Sequence, residues 1–281
     1  NNVTVYERNH EIGGQFNIAK EIPGKEEFKE TLRYFNHHIR ALNITLKLNT
    51  EVTPDNLSND FDAVIISTGI RPRIPRIPGV SLPHVLTYQD LIWKKQPVGQ
   101  TVALIGAGGI GFDCAEFLAH SPNSIPTSLN KAAFFEQWGI DTSYTNRGAV
   151  KPKTSERSAR KIYLLQRSAT KMGKGLGKTT GWIHRKSLNH KGIEMLTGVD
   201  YKAITETGLV INIDGEERTL EVDNVILCSG QISNDELYDA LKIQNVNVHL
   251  IGGALLAAEI DAKKAIDDGV RLAHTLTHQK P

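Results

Sequence analysis

Residues 101–119 read TVALIGAGGIGFDCAEFLA. Val102, Leu104 and Ile105 form a short apolar run that suits a buried strand, and Gly106, Ala107, Gly108, Gly109, Ile110 and Gly111 follow it at once with G-x-G-x-x-G spacing. Gly106 permits the sharp reversal out of the strand, Gly108 lets a pyrophosphate approach the backbone, and Gly111 lets the next helix lie close against the sheet. That helix offers its free N–H groups to an anion. Ile110, Cys114, Phe117 and Leu118 place an apolar stripe along one side of it. A bare glycine hexapeptide carries little weight in a chain with 24 glycines, and it is the strand before and the helix after that make it a dinucleotide cradle. Gly106, Gly108, Gly109, Ile110 and Gly111 are the residues this reading places against the cofactor.

Composition is that of an ordinary soluble globular protein, and 281 residues are enough for two domains with separate cores, which the strand–turn–helix pattern makes α/β. Lys and Arg number 33 against 31 Asp and Glu, so no strong field attracts nucleic acid or an anionic membrane. Neither a bilayer-spanning apolar run nor a leader-like segment is visible, which makes the cytoplasm the expected location. Two cysteines, Cys114 and Cys228, are too few and too far apart for a disulfide framework or a zinc site, and read as buried small side chains.

Working outward toward the N-terminus, residues 2–7 (NVTVYE) alternate like a strand and close on Glu7. A carboxylate at a strand end can accept both ribose hydroxyls of a nucleotide, although a solvated strand end is the plainer alternative. In a nucleotide fold this acid closes the second strand, so the chain is expected to start inside a Rossmann-like domain whose first strand and glycine turn lie upstream. Gly13 and Gly14 can then bring backbone close to a ligand. Residues 25–42 make an amphipathic helix with Phe28, Leu32, Phe35, Ile39 and Leu42 on one face, and 44–48 and 62–67 make strands, the second ending at Thr68 and Gly69. Pro72, Pro75, Pro78 and Gly79 oppose regular structure, and a domain boundary is expected near residues 93–99.

Toward the C-terminus, residues 121–159 form a long interval that we read as a surface excursion packed by Phe134, Phe135 and Trp138. Strand KIYLLQ (161–166) follows, and the next residue is Arg167, with Lys171 close behind. An NAD-binding strand end would carry an acid here, whereas a guanidinium can grip a 2′-phosphate, so NADPH is expected over NADH. Residues 173–179 (GKGLGKT) imitate a P-loop but place Met172 where its first glycine belongs, which excludes an ATPase. Strands are expected at 193–196, 199–204, 209–213 and 219–222, the last two joined by an Asp214-Gly215 hairpin. Residues 225–228 form a buried strand that ends at Ser229 and Gly230, next to where a nicotinamide could lie. Strand and turn at 248–255 precede a final helix over 265–272, and His274 and His278 share a helix face that reads as solvated rather than metal-binding.

The segments ERNHEIGGQ (7–15), IISTGIRPRIP (65–75), GAGGIG and VILCSGQ (225–231) together resemble the flavoprotein reductases with two dinucleotide domains. More narrowly, GGQFNIAKEIPGKEEF (13–28), QWGIDTS (137–143), GLGKTTGWIHR (175–185) and HLIGG (249–253) resemble the C-terminal half of the bacterial 2,4-dienoyl-CoA reductases. The resemblance implies two Rossmann-like domains, with an NADP domain at 98–232 inserted into a split FAD domain at 1–97 and 233–281. It also implies flavin contacts from Glu7, Arg8, Gly14, Gln15, Val52, Thr68, Gly69, Gly252 and Gly253. Electrons would run from NADPH to FAD, then through a 4Fe-4S cluster to FMN and an unsaturated acyl-CoA of fatty-acid β-oxidation. The cluster, the FMN and the acyl-CoA site belong to an N-terminal half that this sequence does not contain. The family pattern has an aspartate where this chain has Leu255, and that departure, with the missing first glycine turn, counts against FAD binding by this chain. No catalytic acid or base is assigned.

Overall fold

The computed structural model describes residues 1–57, 61–121, 124–154, 156–257 and 262–278. In chain order the first elements are β1 (Thr4–Tyr6), α1 (Gln15–Ala19), α2 (Phe28–Ala41), β2 (Thr45–Lys47), β3 (Val64–Ile66), β4 (Ile70–Pro72), β5 (Val85–Thr87) and α3 (Tyr88–Ile92). Then come β6 (Thr101–Ile105), α4 (Gly109–Ala119), α5 (Lys131–Trp138), β7 (Lys161–Leu165), α6 (Gly181–His190), β8 (Glu194–Leu196), β9 (Asp200–Thr205), β10 (Gly208–Ile213) and β11 (Glu216–Glu221). The last are β12 (Asn224–Leu227), β13 (Gln231–Ser233), α7 (Glu236–Ile243), β14 (Val248–Leu250), α8 (Gly252–Leu255) and α9 (Ala262–His278). The contacts divide the chain into two units, one of Asn1–Gly14, Thr31–Arg73 and Gln231–Pro281, the other of Gln15–Glu30 and Ile74–Gly230.

The second unit is built on a five-stranded sheet of order β5-β12-β6-β7-β8, parallel throughout. Its strands are covered on both faces, so they read as unbroken apolar runs rather than alternations. Val102, Leu104, Ile162, Leu164 and Ile226 point to one face, where α4 and α6 add Phe112, Cys114, Ala115, Leu118 and Leu188. Ala103, Ile105, Tyr163, Leu165, Val225 and Leu227 point to the other, where the antiparallel ribbon β11-β10-β9 adds Ile204, Leu209, Ile211 and Leu220. In the β10–β11 hairpin Ile213 pairs with Glu216, and Asp214 (φ 53°) and Gly215 (φ 90°) supply the two left-handed positions of a two-residue turn. The stripe read for α4 faces this core, with Cys114 and Leu118 buried and Ile110 and Phe117 packed against them partly buried, and Phe112 and Ala115 are buried beside it because the helix packs against more than the sheet.

Residues read from the sequence as part of the first domain group here with the central sheet. β5 extends that sheet by pairing with β12, and α3 follows it behind a capping box in which Thr87 and Asp90 bond reciprocally. Farther upstream, Ile22 is 2% exposed within the α4 core, and Lys25 Nζ lies 2.7 Å from the Asp113 carboxylate on α4. A cavity of about 70 Å³ beside this pair is lined by Lys25, Phe112, Asp113, His184 and Leu188. Burial pushes the Asp113 carboxyl up, against the pull of Lys25.

The long excursion forms α5 and then closes on itself through a bridge between Ile140 and Val150. Phe134 stays 41% exposed, and its ring contacts with Phe135 and Trp138 lie at 6.3 Å. What organises the loop is Asp141, 5% exposed. Its Oδ1 accepts from Ser143 N (2.9 Å) and Oγ (2.5 Å), and its Oδ2 from Asn146 N (2.8 Å), Asn146 Nδ2 (2.9 Å) and Thr145 Oγ1 (3.2 Å). These donors, Ser143 first and Asn146 next, hold the carboxyl far below the usual carboxylate range. Asp141→Ala is therefore expected to open residues 139–151 to limited proteolysis while the rest of the chain stays resistant. The folded value is the lowered one, so the loop should hold above about pH 4, the ordinary aspartate value, and loosen only as pH falls below it. A loop no more susceptible in the variant than in the parent would show that these bonds do not close it.

In the first unit β1 pairs with β2 and β3 with β14, both parallel, while β4 pairs with β13 antiparallel. Ile66, Leu241 and Ala254 form its small core. Regular structure extends to Pro72, the last residue of β4, before the irregular stretch that the prolines impose.

Candidate functional site

The parallel register brings three strand ends side by side. Leu227 pairs with Ile105 and Ile105 with Leu165, so Gly106, Gln166 and Cys228 leave the sheet in one row along its carboxyl edge. Open α/β sheets bind ligands along that edge. Gly106 has φ +110°, and a Cβ there would sit 2.5 Å from Cys228 O. A Cβ on Gly111 would sit 1.9 Å from Gly106 O, so the third glycine of the motif packs against the carbonyl of the first. Gly108 and Gly109 differ, since a Cβ on either meets nothing within 4 Å. Two glycines thus close the turn and two leave an open face. Gly108 is the N-cap of α4, with no side-chain bond capping the helix, so the first-turn N–H groups face that opening uncapped by protein.

On one side of the turn, Gln166 Nε2 donates to Ser168 O (2.8 Å) and Thr170 O (2.9 Å), which fixes the loop that carries Arg167. Arg167 is exposed and makes no hydrogen bond or ion pair among the described residues; Lys171 is exposed at the far end of the same loop. On the other side Gly230 is exposed with φ +105° just past β12. The cradle glycines, Ile110, Arg167, Lys171 and Gly230 therefore belong to one edge, and an anionic dinucleotide fits them: open backbone at the turn, a helix N-terminus, and a guanidinium where an acid would repel a 2′-phosphate. Cys114 and Cys228 are free and buried, and the Cys228 side chain, then burial, pushes the Cys114 thiol well up, so it is no nucleophile.

In the other unit the residues read as flavin contacts form two groups. Glu7 continues the β1–β2 pairing, with its N–H donating to Lys47 O and its carbonyl accepting from Thr50 N, which sets it beside the segment leading to Val52. Its Oε1 already accepts from Asn9 N (2.8 Å) and Nδ2 (2.7 Å). Arg8 is exposed and Gly14 has φ +49° with open space around it. Thr68, Gly69 and Gly253 meet: a Cβ on Gly253 would lie 3.1 Å from Gly69 C, and Thr68 Oγ1 donates to Asn234 O. Gly252 N donates to Asp268 Oδ2 (3.3 Å), and Leu255 is 56% exposed. Gln15 falls with the central unit instead, where its Oε1 accepts a long 3.5 Å bond from the Tyr88 hydroxyl. The His274 and His278 rings lie 4.2 Å apart on α9, and no cluster of metal-ligating side chains occurs among the described residues.

Sequence reading missed Asp141 and the Lys25–Asp113 pair. Asp141 had a visible signal, the D-T-S-Y-T-N run whose hydroxyls and amides can fold back on a leading aspartate. Lys25 and Asp113 meet only through the tertiary fold.

A family model described as pyridine nucleotide-disulphide oxidoreductase matches residues 1–253. Among curated proteins, a metal reductase of Desulforamulus reducens is 27% identical over 90% of this chain and 37% of its own length. A bilirubin reductase of Mediterraneibacter gnavus is 25% identical over 98% of this chain and 37% of its length. The chain thus spans little more than a third of these relatives. Among solved structures, a 2-naphthoyl-CoA reductase superposes with a TM-score of 0.78 at 24% identity, covering 96% of this chain and 36% of that one. Histamine dehydrogenase from Rhizobium sp. 4-9 gives 0.76 at 20% identity, covering 100% and 40%. Both likenesses concern the fold. No helix among the described residues is long and apolar enough to cross a membrane.

Proposed function

The chain belongs to the pyridine nucleotide-disulphide oxidoreductase family, as a flavin- and NAD(P)-dependent oxidoreductase domain, and from that premise we propose that it is the NADPH-receiving portion of a 2,4-dienoyl-CoA reductase. In this reading residues 98–232 are the NADP domain and 1–97 with 233–281 the split FAD domain. The observation that carries the coenzyme choice is Arg167, exposed and unpaired among the described residues at the strand end where an NAD site would place an acid. Gly108, Gly109 and the α4 N-terminus hold the pyrophosphate, Arg167 and Lys171 the 2′-phosphate, and Gly230 leaves room for the nicotinamide. When bound, NADPH supplies a hydride and FAD accepts it, and the protein's part is to hold and orient. Gly69, with open space beside it, suits a close backbone approach on the flavin side, while Gly253 packs against Gly69 and Ile70. FMN, a 4Fe-4S cluster and the unsaturated acyl-CoA would engage the remainder of the longer protein.

A second reading, a nucleotide-holding module without redox chemistry, is favoured by one feature: Leu255 stands exposed where the family pattern has an aspartate. Coenzyme titration followed by added FAD separates the two. The first reading expects NADPH to bind more tightly than NADH or ADP and to bleach the flavin absorbance. ADP bound as tightly as NADPH, with the flavin left oxidised, would establish the second.

A further inference from the structure

Tyr201 occupies its place because β9 is bulged. Val199, Tyr201 and Ile204 all pack on the core beneath the β9–β11 ribbon, yet strict alternation from Ile204 would put Lys202 there, not Tyr201. The pairing with β10 runs Ala203 to Val210 and then Tyr201 to Ile211, skipping Lys202, and this bulge turns the tyrosine inward. Its hydroxyl is screened from solvent and has no hydrogen-bond partner among the described residues. Native structures seldom leave a buried hydroxyl so.

The Arg167 loop is tied to the residues that lead into Tyr201. Val199 N donates to Gln166 O (3.0 Å) and Gly198 N to Ser168 O (3.2 Å). Burial pushes the Tyr201 hydroxyl well up, and the Arg167 charge lies near enough to pull against that rise. A guanidinium has five N–H donors, of which a phosphate gripped side-on takes two.

We propose that Tyr201 is the positioning residue for Arg167: its hydroxyl oxygen accepts a hydrogen bond from the guanidinium as Arg167 turns onto the 2′-phosphate, and so sets the preference for the phosphorylated coenzyme. The proposal rests on the NADPH reading of this same edge. A phenol kept protonated still offers a lone pair to that donor, and the tether holds the guanidinium in one orientation instead of many.

Tyr201→Phe removes only the hydroxyl. Titrations of parent and variant with NADPH and NADH, beside ligand-free thermal melts, test the proposal. The variant should bind NADPH about 3- to 10-fold more weakly, as loss of one hydrogen bond predicts, with NADH affinity unchanged and the ligand-free melting temperature the same or higher. In an Arg167→Ala background the Tyr201→Phe effect should vanish. A lower melting temperature with both coenzymes weakened alike would mark a structural hydroxyl and overturn the proposal, as would an unchanged preference for NADPH. A parent that does not prefer NADPH would remove the reading on which it rests, and the parent titration alone shows that.

Discussion

Gly111→Ala should cost about 1 to 2 kcal/mol of stability, overpacking less the helix-propensity gain, and abolish retention of NADPH. Alanine is the better helix former by about 1 kcal/mol, so propensity alone predicts a gain. The added methyl, however, would stand 1.9 Å from Gly106 O and 2.9 Å from Gly106 C, which are main-chain atoms of the turn rather than the yielding end of a side chain. α4 must then withdraw from β6, and overpacking of this kind typically costs about 1–3 kcal/mol or more while it displaces the helix N-terminus from its anion. Gly109→Ala is the control, because its methyl enters open space. That variant should melt like the parent yet bind NADPH more weakly, since the methyl projects into the cradle. Urea unfolding with coenzyme titration distinguishes the two, and a Gly111→Ala protein as stable as the parent would show that the packing of first glycine against third is not needed.

Arg167→Ala should weaken NADPH by about 10- to 100-fold, the range expected for charge-assisted hydrogen bonds worth roughly 1.5–3 kcal/mol, and leave NADH nearly unaffected. The loop itself should persist, because Gln166 and not Arg167 bonds it together. Arg167→Glu should go further, setting a carboxylate against the phosphate as an NAD-type site does. Salt should compress the difference between parent and variant, since Arg167 is exposed and its attraction is screened. Equal losses for NADPH and NADH would place Arg167 elsewhere on the coenzyme or assign it to the fold.

The elements most legible in the sequence were those decided locally. Strand β6, its glycine turn and α4 follow from adjacent residues, and Asp214 with Gly215 predicts its hairpin because only a few residue types accept two consecutive left-handed conformations. Arg167 could be singled out because it follows an apolar strand by a fixed offset. What stayed hidden depends on distant pairings. Nothing in residues 85–87 announces that β5 joins the sheet through β12, and nothing near Tyr201 announces a bulge, since Lys202 is skipped only once β10 lies alongside. The α4 stripe was incomplete for a related reason: a helix enclosed on several sides buries Phe112 as well as the face a single sheet would claim.

Ile22 and Lys25 are lodged in the body that carries the glycine turn, although they lie far upstream of residue 74 in the chain. A polypeptide trimmed to Ile74–Gly230 would leave the Asp113 carboxyl without its ammonium and bare an oily flank of α4 to water. No single pair of cuts frees this nucleotide module intact; an autonomous version would have to carry Gln15–Glu30 along as a grafted strap.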